Sequence, residues 1–501
     1  MDYLYNPVGF NTYTIVITAT TDDKGNVNGL KCTEDDLIEE IDAVAERMGE
    51  DMQIEIRLHG GCMAYNGNVF EAFFPTLHDQ FLNYPTVKTF FIVDEPSWGE
   101  LDRVDQYYVP WFNQYYGNTD KQFLVNMLSA YSTAMGGLRD INGNLVTNNG
   151  TYKTGGSITA LYEGSPAYSV STGRQVTVKL TDKEKADMTV AYHTKWLGIL
   201  SKVKSEHNVF SHDAYPFFDN QSGKIILTDV VDENGNVVYT AAQLKAYYLT
   251  CGFTEEHFLM GIPEEGYEPI LLQSWLSRSL NMAILARDNG YAFGACIQTF
   301  DQGGTGYETH TWRLPTTVGE VTWQIYMNIA MGAKSLNYFG FGSTSNGQYM
   351  TAGTKPTPTY YPVKAANQEL LKVEHVFAAF ETWVGLKTFG ATGKALSEGL
   401  QLVEDRGQNL ATLTNVKSVV TSGELVVGEM IDGNDNHGYM LVGYDDPLNG
   451  KSTEVQMTFD GAAGFIVYRG GERTLVEAVN GVFSATLAAG EGVFVIPVYM
   501  D

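Results

Sequence analysis

Seven short runs of apolar, β-branched and aromatic residues alternate with longer segments of helical pattern up to about residue 385. The runs lie at 13–20, 52–60, 88–96, 122–130, 208–217, 292–300 and 335–342. Most of them are almost continuously apolar, which is typical of parallel strands that are covered on both faces. Strands that alternate with helices in this way predict βαβ units and a parallel sheet or barrel.

The helical segments between these runs have recognisable ends. In the segment 33–49, Thr33 precedes an acidic first turn and Gly49 follows the last turn, which predicts both helix boundaries. Similar patterns lie at 97–117, 181–207, 273–290, 317–334 and 364–385. Seven strands are one short of a (β/α)8 TIM barrel. We expect the first strand at the front, where it is either missing or formed in degenerate shape by "DYLYNP".

Past residue 387 the pattern changes to short alternating strands separated by Gly, Asn and Asp turns. This pattern predicts an antiparallel β-sandwich after the barrel. We therefore predict two domains, a barrel at 1–386 and a sandwich at 387–501. Two insertions are expected after barrel strands: a turn-rich segment at 140–180, and a hairpin at 222–239 about Asn234-Gly235.

The composition narrows the partners that the chain can have. The formal charge is −27, from 59 acidic and 32 basic residues, and no cluster of Lys and Arg is visible. This balance favours a neutral partner and gives no support for nucleic-acid binding. No apolar stretch approaches the ~20 residues of a membrane helix. We expect a soluble chain without a visible signal peptide, secreted or periplasmic if the native N-terminus is longer; its oligomeric state is unknown.

The sequence contains no pattern that predicts a cofactor or a metal site. Cys32, Cys62, Cys251 and Cys296 lie far apart, without the spacing of a zinc site, so we expect four free and mostly buried thiols. The segments "DENGN" and "DGNDNHG" resemble calcium loops only weakly, because they lack the twelve-residue acid spacing. Hairpin turns explain them better.

Polar and aromatic residues follow or close most of the predicted strands, where a barrel keeps its active site. They are Arg57, His59, Asp94, Glu95, Trp98, Asn126, Asp213, Tyr215, Gln298, Asp301, Trp312, Arg313 and Tyr338. Aromatic rings stack on sugar rings, amides and carboxylates bind hydroxyl groups, and glycosidic cleavage needs two carboxyl groups. The residue types therefore indicate a carbohydrate ligand. The alternative for each single carboxylate is that it caps the following helix.

Two carboxyl groups are candidates for catalysis. Side chains alternate along a strand, so we expect only one of Asp94 and Glu95 to point into the barrel. We select Glu95 as the general acid and Asp94 as its orienting neighbour. Asp213 is the best candidate for the second carboxylate, and Asp301 is the next.

The segments "GFNTYTIVITAT", "FFIVDEPSW", "HDAYP" and 312–342 resemble the barrel of glycoside hydrolase family 42 β-galactosidases over roughly residues 8–385. The resemblance implies that Glu95 takes the position of the acid/base, with Asp94 where those enzymes have Asn. It also implies that Gln298 stands where they have a nucleophilic Glu. This difference puts the retaining mechanism of the family in question for this chain. The C-terminal segment is similar to the accessory β-domain of such hydrolases.

The leading hypothesis is a glycoside hydrolase that acts on a neutral oligo- or polysaccharide through Glu95 and Asp213. Three aromatic residues, Trp98, Tyr215 and Trp312, would contact sugar faces. Hydrogen bonds would come from Arg57, His59, Gln298 and Arg313. The rival hypothesis is a non-catalytic glycan-binding or structural protein on a hydrolase-like barrel, which the amide at Gln298 favours.

Overall fold

The computed structural model describes most of the 501-residue chain. The described residues are 8–23, 27–49, 52–58, 81, 84–96, 98–129, 151–154, 174–177, 182–217, 225–232, 234–250, 255, 258–260, 272–300, 314–343, 349–352, 355–390, 413–445, 447–449 and 451–500. They form two compact units. One contains residues 11–213 and 288–292, and the other contains residues 1–10, 214–287 and 293–501.

All seven predicted barrel strands are present. They are β1 (Thr12–Ile17), β2 (Gln53–Leu58), β3 (Val87–Asp94), β4 (Gln122–Leu128), β5 (Val209–Asp213), β6 (Ala292–Gln298) and β7 (Ala333–Phe339). They belong to one parallel sheet, whose strand order follows the chain. Consecutive parallel strands joined by helices confirm the predicted fold class, the (β/α)8 barrel. The segment "DYLYNP", the candidate for a degenerate first strand, lies outside the described residues, so whether the first strand is missing or degenerate stays a prediction.

Helices follow most of the strands in the predicted segments, but the helix Ala241–Thr250 was not predicted, and the predicted helix 364–385 is two shorter helices followed by a strand from Thr382. The helices are α1 (Glu34–Met48), α2 (Trp98–Arg103), α3 (Val109–Tyr115), α4 (Asp182–Leu200), α5 (Ala241–Thr250), α6 (Leu272–Asp288), α7 (Val318–Ala330), α8 (Tyr360–Leu371) and α9 (Glu374–Ala379). A π-helical turn, Val104–Tyr108, joins α2 to α3. The predicted boundaries of α1 are confirmed: Thr33 and Asp36 form a capping box, and Gly49 follows with φ 94°.

In the unit that contains residues 11–213, the two faces of the parallel sheet differ in polarity. On the apolar face, Phe90 stacks on Tyr116 at 4.6 Å and meets Trp111 edge-on at 5.6 Å. On the other face, Phe91 and Leu124 belong to a small apolar cluster. Polar side chains lie beyond this cluster, towards the carboxyl ends of β3, β4 and β5. This second face is therefore apolar along the middle of the strands and polar at their carboxyl ends.

The other unit ends in a β-sandwich, as predicted. Its strands are β8 (Thr382–Phe389), β9 (Val416–Thr421), β10 (Leu425–Ile431), β11 (His437–Gly443), β12 (Thr453–Phe459), β13 (Ala462–Arg469), β14 (Glu472–Glu477), β15 (Val482–Leu487) and β16 (Gly492–Tyr499). A six-stranded sheet has the order β8-β10-β11-β16-β13-β14, and a three-stranded sheet has the order β9-β12-β15. Both contribute to one core, which includes Val427, Leu441, Met457 and Phe483. The predicted boundary at 386/387 falls inside β8 and stays a prediction.

Helix α7 lies against this sandwich within the same unit. The Trp323 indole N–H donates to the carbonyl oxygen of Gly443 at 3.1 Å. The Trp383 indole N–H of β8 donates to the carbonyl oxygen of Ala330 at 2.9 Å. Every residue from Glu320 to Ala330 is buried, so α7 is covered on all sides.

The shorter strands agree with the turn chemistry of the sequence. Val230–Val231 pairs antiparallel with Val237–Tyr239, which confirms the hairpin about Asn234-Gly235. Asp232 and Asp432 each accept hydrogen bonds from the backbone two and four residues later, so both weak calcium-like segments form hairpin turns. Of the predicted insertion at 140–180, only the antiparallel pair Thr151–Thr154 and Arg174–Thr177 is described.

Cys32 and Cys296 are half-buried cysteines outside any disulfide, and Cys62 and Cys251 lie outside the described residues. In the part of the chain that the structure describes, no helix combines the length and the apolar character needed to cross a membrane.

Candidate active site

Four polar side chains form a hydrogen-bonded row across the carboxyl ends of β2 to β5. Arg57 donates to Asp94 at 2.6 Å, and its guanidinium carbon lies 4.3 Å from the centre of the Phe91 ring. The Asn126 amide donates to the other oxygen of Asp94 at 3.0 Å, and the Ser211 hydroxyl donates to the Asn126 oxygen at 2.9 Å. Asn126 and Ser211 are buried, which makes this row a fixed part of the strand ends.

Glu95 follows the last residue of β3 and has left-handed backbone geometry, with φ 45°. Its N–H donates to the carbonyl oxygen of Asn126 at 2.8 Å, so the chain is still tied to β4 at this residue. Left-handed geometry is unfavourable for a residue with a Cβ, and such residues concentrate at functional sites. The left-handed turn points the Glu95 side chain in a direction that it would not take at the end of an extended strand.

The side chain of Glu95 is in hydrogen-bond contact with the side chain of Asp213, at the end of β5. Asp213 is two residues from Ser211 on the same strand and so shares its face. Asp94 lies on the same face, because it accepts a hydrogen bond from Asn126, which in turn accepts one from Ser211. The expectation that only one of Asp94 and Glu95 can point to this side is therefore wrong, because alternation ends where the left-handed turn begins.

The environment of Glu95 favours its protonated form. Burial raises the pKa of Glu95, and the nearby charge of Asp94 raises it further. The hydrogen bond with Asp213 opposes this rise, and the pKa stays above its usual value. Because Arg57 and Asn126 hold the Asp94 carboxylate in place, they also fix the charge that acts on Glu95.

Glu55 is a fourth acidic residue of this region, and the sequence reasoning missed it. It lies on β2, two residues before Arg57, and accepts a hydrogen bond from the Thr14 hydroxyl at 3.1 Å. Burial raises its pKa to about 7, although Arg57 and the Thr14 hydrogen bond both lower it. The signal was available, since an acid in the apolar run "MQIEIRL" predicts an unusual environment.

Neighbouring carboxyl groups do not both ionise easily, and the pKa of Glu95 in this pair is raised above its usual value. In such a pair, one group can donate a proton while the other acts as a carboxylate. Retaining glycosidases hold their two carboxyl groups ~5 Å apart and inverting ones ~6.5–9.5 Å apart, which leaves room for the reacting groups. A reacting group therefore has to enter between the two side chains.

Three other predicted site residues belong to the second unit and are described within it. The Gln298 amide is fully buried, accepts from the Phe217 N–H at 3.0 Å and donates to the Phe217 carbonyl oxygen at 2.9 Å. The ring of Tyr215 meets Phe300 edge-on at 4.7 Å. The Tyr338 hydroxyl donates to Asn367 on α8. These contacts give Gln298 and Tyr338 clear packing roles.

The structure does not describe the side chains of the remaining predicted site residues. His59, Asp301, Trp312 and Arg313 lie outside the described residues, and so does the side chain of Trp98. Within the described part of the chain, no group of three or more His, Cys, Asp or Glu side chains could hold a metal ion.

No family model matches the chain, and no curated protein matches its sequence. The resemblance to glycoside hydrolase family 42 therefore depends on the quoted motifs alone. Among solved structures, the chain is similar to α-galactosidase I from Mortierella vinacea, with 8% identity over 99% of this chain and 89% of that chain and a TM-score of 0.39.

Two further solved structures are a 4-O-α-L-rhamnosyl-β-D-glucuronidase from Fusarium oxysporum 12S in a Rha-GlcA complex and an α-amylase from Geobacillus thermoleovorans complexed with acarbose. The first has 10% identity over 97% of this chain and 85% of that chain, with a TM-score of 0.38. The second has 8% identity over 99% of both chains, with a TM-score of 0.32. Identities and TM-scores as low as these carry no information about the activity of this chain.

Proposed function

We propose that the chain is a glycoside hydrolase that acts on a neutral oligo- or polysaccharide. The observation that carries this proposal is the contact between Glu95 and Asp213 at the carboxyl ends of barrel strands. Glycosidic cleavage needs an acid and a second carboxylate on the two sides of one bond. Glu95 and Asp213 are one such pair, and a sugar that enters between them would meet both.

Glu95 is the general acid in this proposal. Burial and the charge of Asp94 both raise the pKa of Glu95, which keeps the proton available near neutral pH. Asp94 acts through Glu95 and is therefore a positioning residue. The salt bridge to Arg57 and the hydrogen bond from Asn126 keep its charge beside the acid.

Asp213 is the nucleophile in this proposal. Of the two glycosidase geometries, the retaining one needs the smaller opening of the pair, because its carboxyl groups stand only ~5 Å apart. An Asp213 oxygen bonds to the anomeric carbon while the glycosidic C–O bond breaks and the Glu95 proton passes to the leaving oxygen. Water, which gives a proton back to Glu95, then attacks the anomeric carbon and releases Asp213.

The charges around the pair favour a neutral sugar. Asp94 and Glu55 lie near the guanidinium of Arg57, and Asp94 and Asp213 both act on Glu95, so acidic side chains outnumber basic ones among the described residues of this cluster. An anionic sugar would meet mostly negative potential here, in a chain of net charge −27. A closer relation to family 42 enzymes is part of the proposal and rests on the sequence motifs.

The test is hydrolysis of a panel of neutral aryl glycosides and oligosaccharides by the wild type, Glu95→Gln, Asp213→Asn and Asp213→Ala. Loss of the acid or of the nucleophile should lower kcat by about 10²–10⁴-fold without loss of sugar binding. Azide should restore turnover in Asp213→Ala, because a small anion can replace the missing carboxylate. Asp102→Asn, on the exposed side of α2, is the matched control.

Two results would contradict the proposal. Binding of sugars by the wild type without turnover on the whole panel would support the non-catalytic rival. Turnover that survives in both Glu95→Gln and Asp213→Asn would place the reaction elsewhere on the chain.

A further inference from the structure

The strand β14 lies at the edge of the six-stranded sheet of the sandwich. It pairs with β13 on one side, and among the described residues no strand pairs with its other side. All six of its residues are exposed, and Leu475 is 72% exposed. An exposed edge strand with an apolar residue at its middle is a ready template for pairing with another strand.

The hairpin between β13 and β14 determines which backbone groups face the free edge. Arg469 pairs with Glu472 across the two-residue turn Gly470-Gly471, in which both residues have positive φ. In a two-residue hairpin this closing pair exchanges backbone hydrogen bonds, and every second pair after it does so too. The backbone N–H and C=O groups of residues 472, 474 and 476 therefore point towards β13. Those of residues 473, 475 and 477 point towards the free edge.

Two further contacts agree with this assignment. The Ala478 N–H donates to the Ala463 carbonyl oxygen at 3.0 Å, as expected for the next inward-facing residue. Pro497, which has no N–H, lies opposite Phe465 on the far side of β13. Phe465 can accept this neighbour because its own backbone groups turn towards Val476 of β14.

We propose that β14 pairs with β14 of a second copy of the chain, antiparallel and centred on Leu475. With this centre, residue 473 of one copy lies opposite residue 477 of the other, and residue 475 lies opposite its own copy. The outward-pointing backbone groups of each of these pairs can therefore hydrogen-bond to each other. The two sheets become one continuous sheet. A two-fold axis through Leu475 makes the interface isologous.

Charge selects this register among the possible ones. Centred on Leu475, Arg473 lies opposite Glu477 twice, and Leu475 lies opposite its copy on the same face. Centred on Arg473 or on Glu477, like charges would lie directly opposite each other, which is unfavourable. Centred on Thr474 or Val476, outward groups also meet outward groups, but Leu475 then lies opposite Arg473 or Glu477 and no pair of opposite charges forms. A centre between two residues would place outward-facing groups against inward-facing ones.

The test is sedimentation velocity of the full chain over a wide range of concentration. We expect a concentration-dependent dimer for the wild type. Arg473→Glu and Glu477→Arg should each weaken it by roughly tenfold or more, because each places like charges opposite at both symmetric positions. The double variant Arg473→Glu/Glu477→Arg should restore the dimer.

Two more variants separate pairing from general effects. Lys451→Glu makes the same charge change as Arg473→Glu at an exposed residue away from this edge and should leave the dimer unchanged. Leu475→Pro removes an outward N–H that β13 does not use and should give a folded monomer. A wild type that is monomeric at every concentration would overturn the proposal and leave the edge to a different partner. A dimer that resists both single charge reversals would overturn it as well.

Discussion

At the scale of single residues, burial and the nearby charge of Asp94 both raise the pKa of Glu95, and burial is the larger cause. The two side chains belong to neighbouring residues, and the left-handed turn at Glu95 brings both to the same face. Arg57 neutralises part of the Asp94 charge but also holds it in place. In the proposed reaction, the pKa of Glu95 therefore depends in part on Asp94, a residue that need not touch the sugar.

Asp94→Asn should move the alkaline limb of the pH profile of kcat/KM to lower pH. The charge of Asp94 raises the pKa of Glu95, so its removal lowers that pKa. A general acid must be protonated, and activity falls as the pH rises through its pKa. The measurement is kcat/KM across the pH range for the wild type, Asp94→Asn and the control Asp102→Asn. An unchanged alkaline limb in Asp94→Asn would contradict the positioning role.

Glu55→Gln should stabilise the protein above pH 7 and have little effect near pH 5. Burial raises the pKa of Glu55 to about 7 from an ordinary 4.5. The folded state then binds its proton more tightly than the unfolded state, so stability falls as the pH rises from about 4.5 to about 7. Gln stays neutral and avoids this loss. At high pH the free energy of unfolding of Glu55→Gln should therefore exceed that of the wild type by about 3 kcal/mol.

Urea unfolding at pH 5 and pH 8 measures this effect. Glu46→Gln, which changes an exposed acid of α1, should show no such dependence. Equal stability differences for Glu55→Gln at the two pH values would show that Glu55 is ionised in the folded protein as it is in the unfolded one.

The residue types of the site could be predicted from the sequence, but their directions could not. Acids at strand ends are visible in "VDEP" and "HDAYP", and Asp94, Glu95 and Asp213 do come together. The direction of Glu95 depends on one backbone angle, which the alternation rule assumes to be extended. Gln298 occupies a strand end too, but its amide pairs with the Phe217 backbone, a contact that only tertiary structure determines.

At the scale of elements, two helices begin with the same capping box in different surroundings. In α1 the Asp36 carboxylate accepts from the Thr33 N–H at 2.7 Å and is exposed. In α7 the Glu320 carboxylate is fully buried and accepts from the N–H groups of Thr316 and Thr317 at 2.8 and 2.9 Å. An exposed N–H that loses its partner can bond to water, whereas a buried one cannot.

Glu320→Ala should therefore destabilise the protein much more than Asp36→Ala. We expect a loss of about 3 kcal/mol for Glu320→Ala, because two buried donors lose their acceptor. The exposed box at Asp36 should contribute only about 0.5–1 kcal/mol. Urea unfolding of the two variants provides the comparison. Similar losses would mean that burial does not decide the strength of these caps.

Element types and positions were accessible from the sequence because the hydrophobic periods are long and regular. The seven apolar runs became β1 to β7, and Thr33 and Gly49 bound α1 as expected. The π-helical turn at Val104–Tyr108 was not predicted. It adds one residue per turn just before Pro110, and a 3.6-residue pattern does not reveal such local insertions.

At the scale of the whole molecule, α7 and the sandwich pack closely together within one compact unit. The sequence suggests a domain boundary where the pattern changes from helices to short strands. Several contacts between α7 and the sandwich involve glycines. A glycine has no side chain and adds nothing to the hydrophobic pattern of the sequence, so these contacts could not be predicted from it. Gly428 on β10 is the tightest of them, since a Cβ there would lie 1.9 Å from the carbonyl oxygen of Ala330.

Gly428→Ala should destabilise the unit that contains α7 and the sandwich by roughly 3 kcal/mol, because neither the helix backbone nor the central strand can move away alone. Gly433→Ala is the matched control: it lies in the turn after the same strand, a Cβ added there would meet no atom within 4 Å, and its cost should stay within about 0.5 kcal/mol. Urea unfolding followed by tryptophan fluorescence reports on Trp323 and Trp383, which bridge α7 and the sandwich. If the two variants were equally stable, the helix and the sandwich would be free to separate, and the sandwich would behave as an independent domain after all.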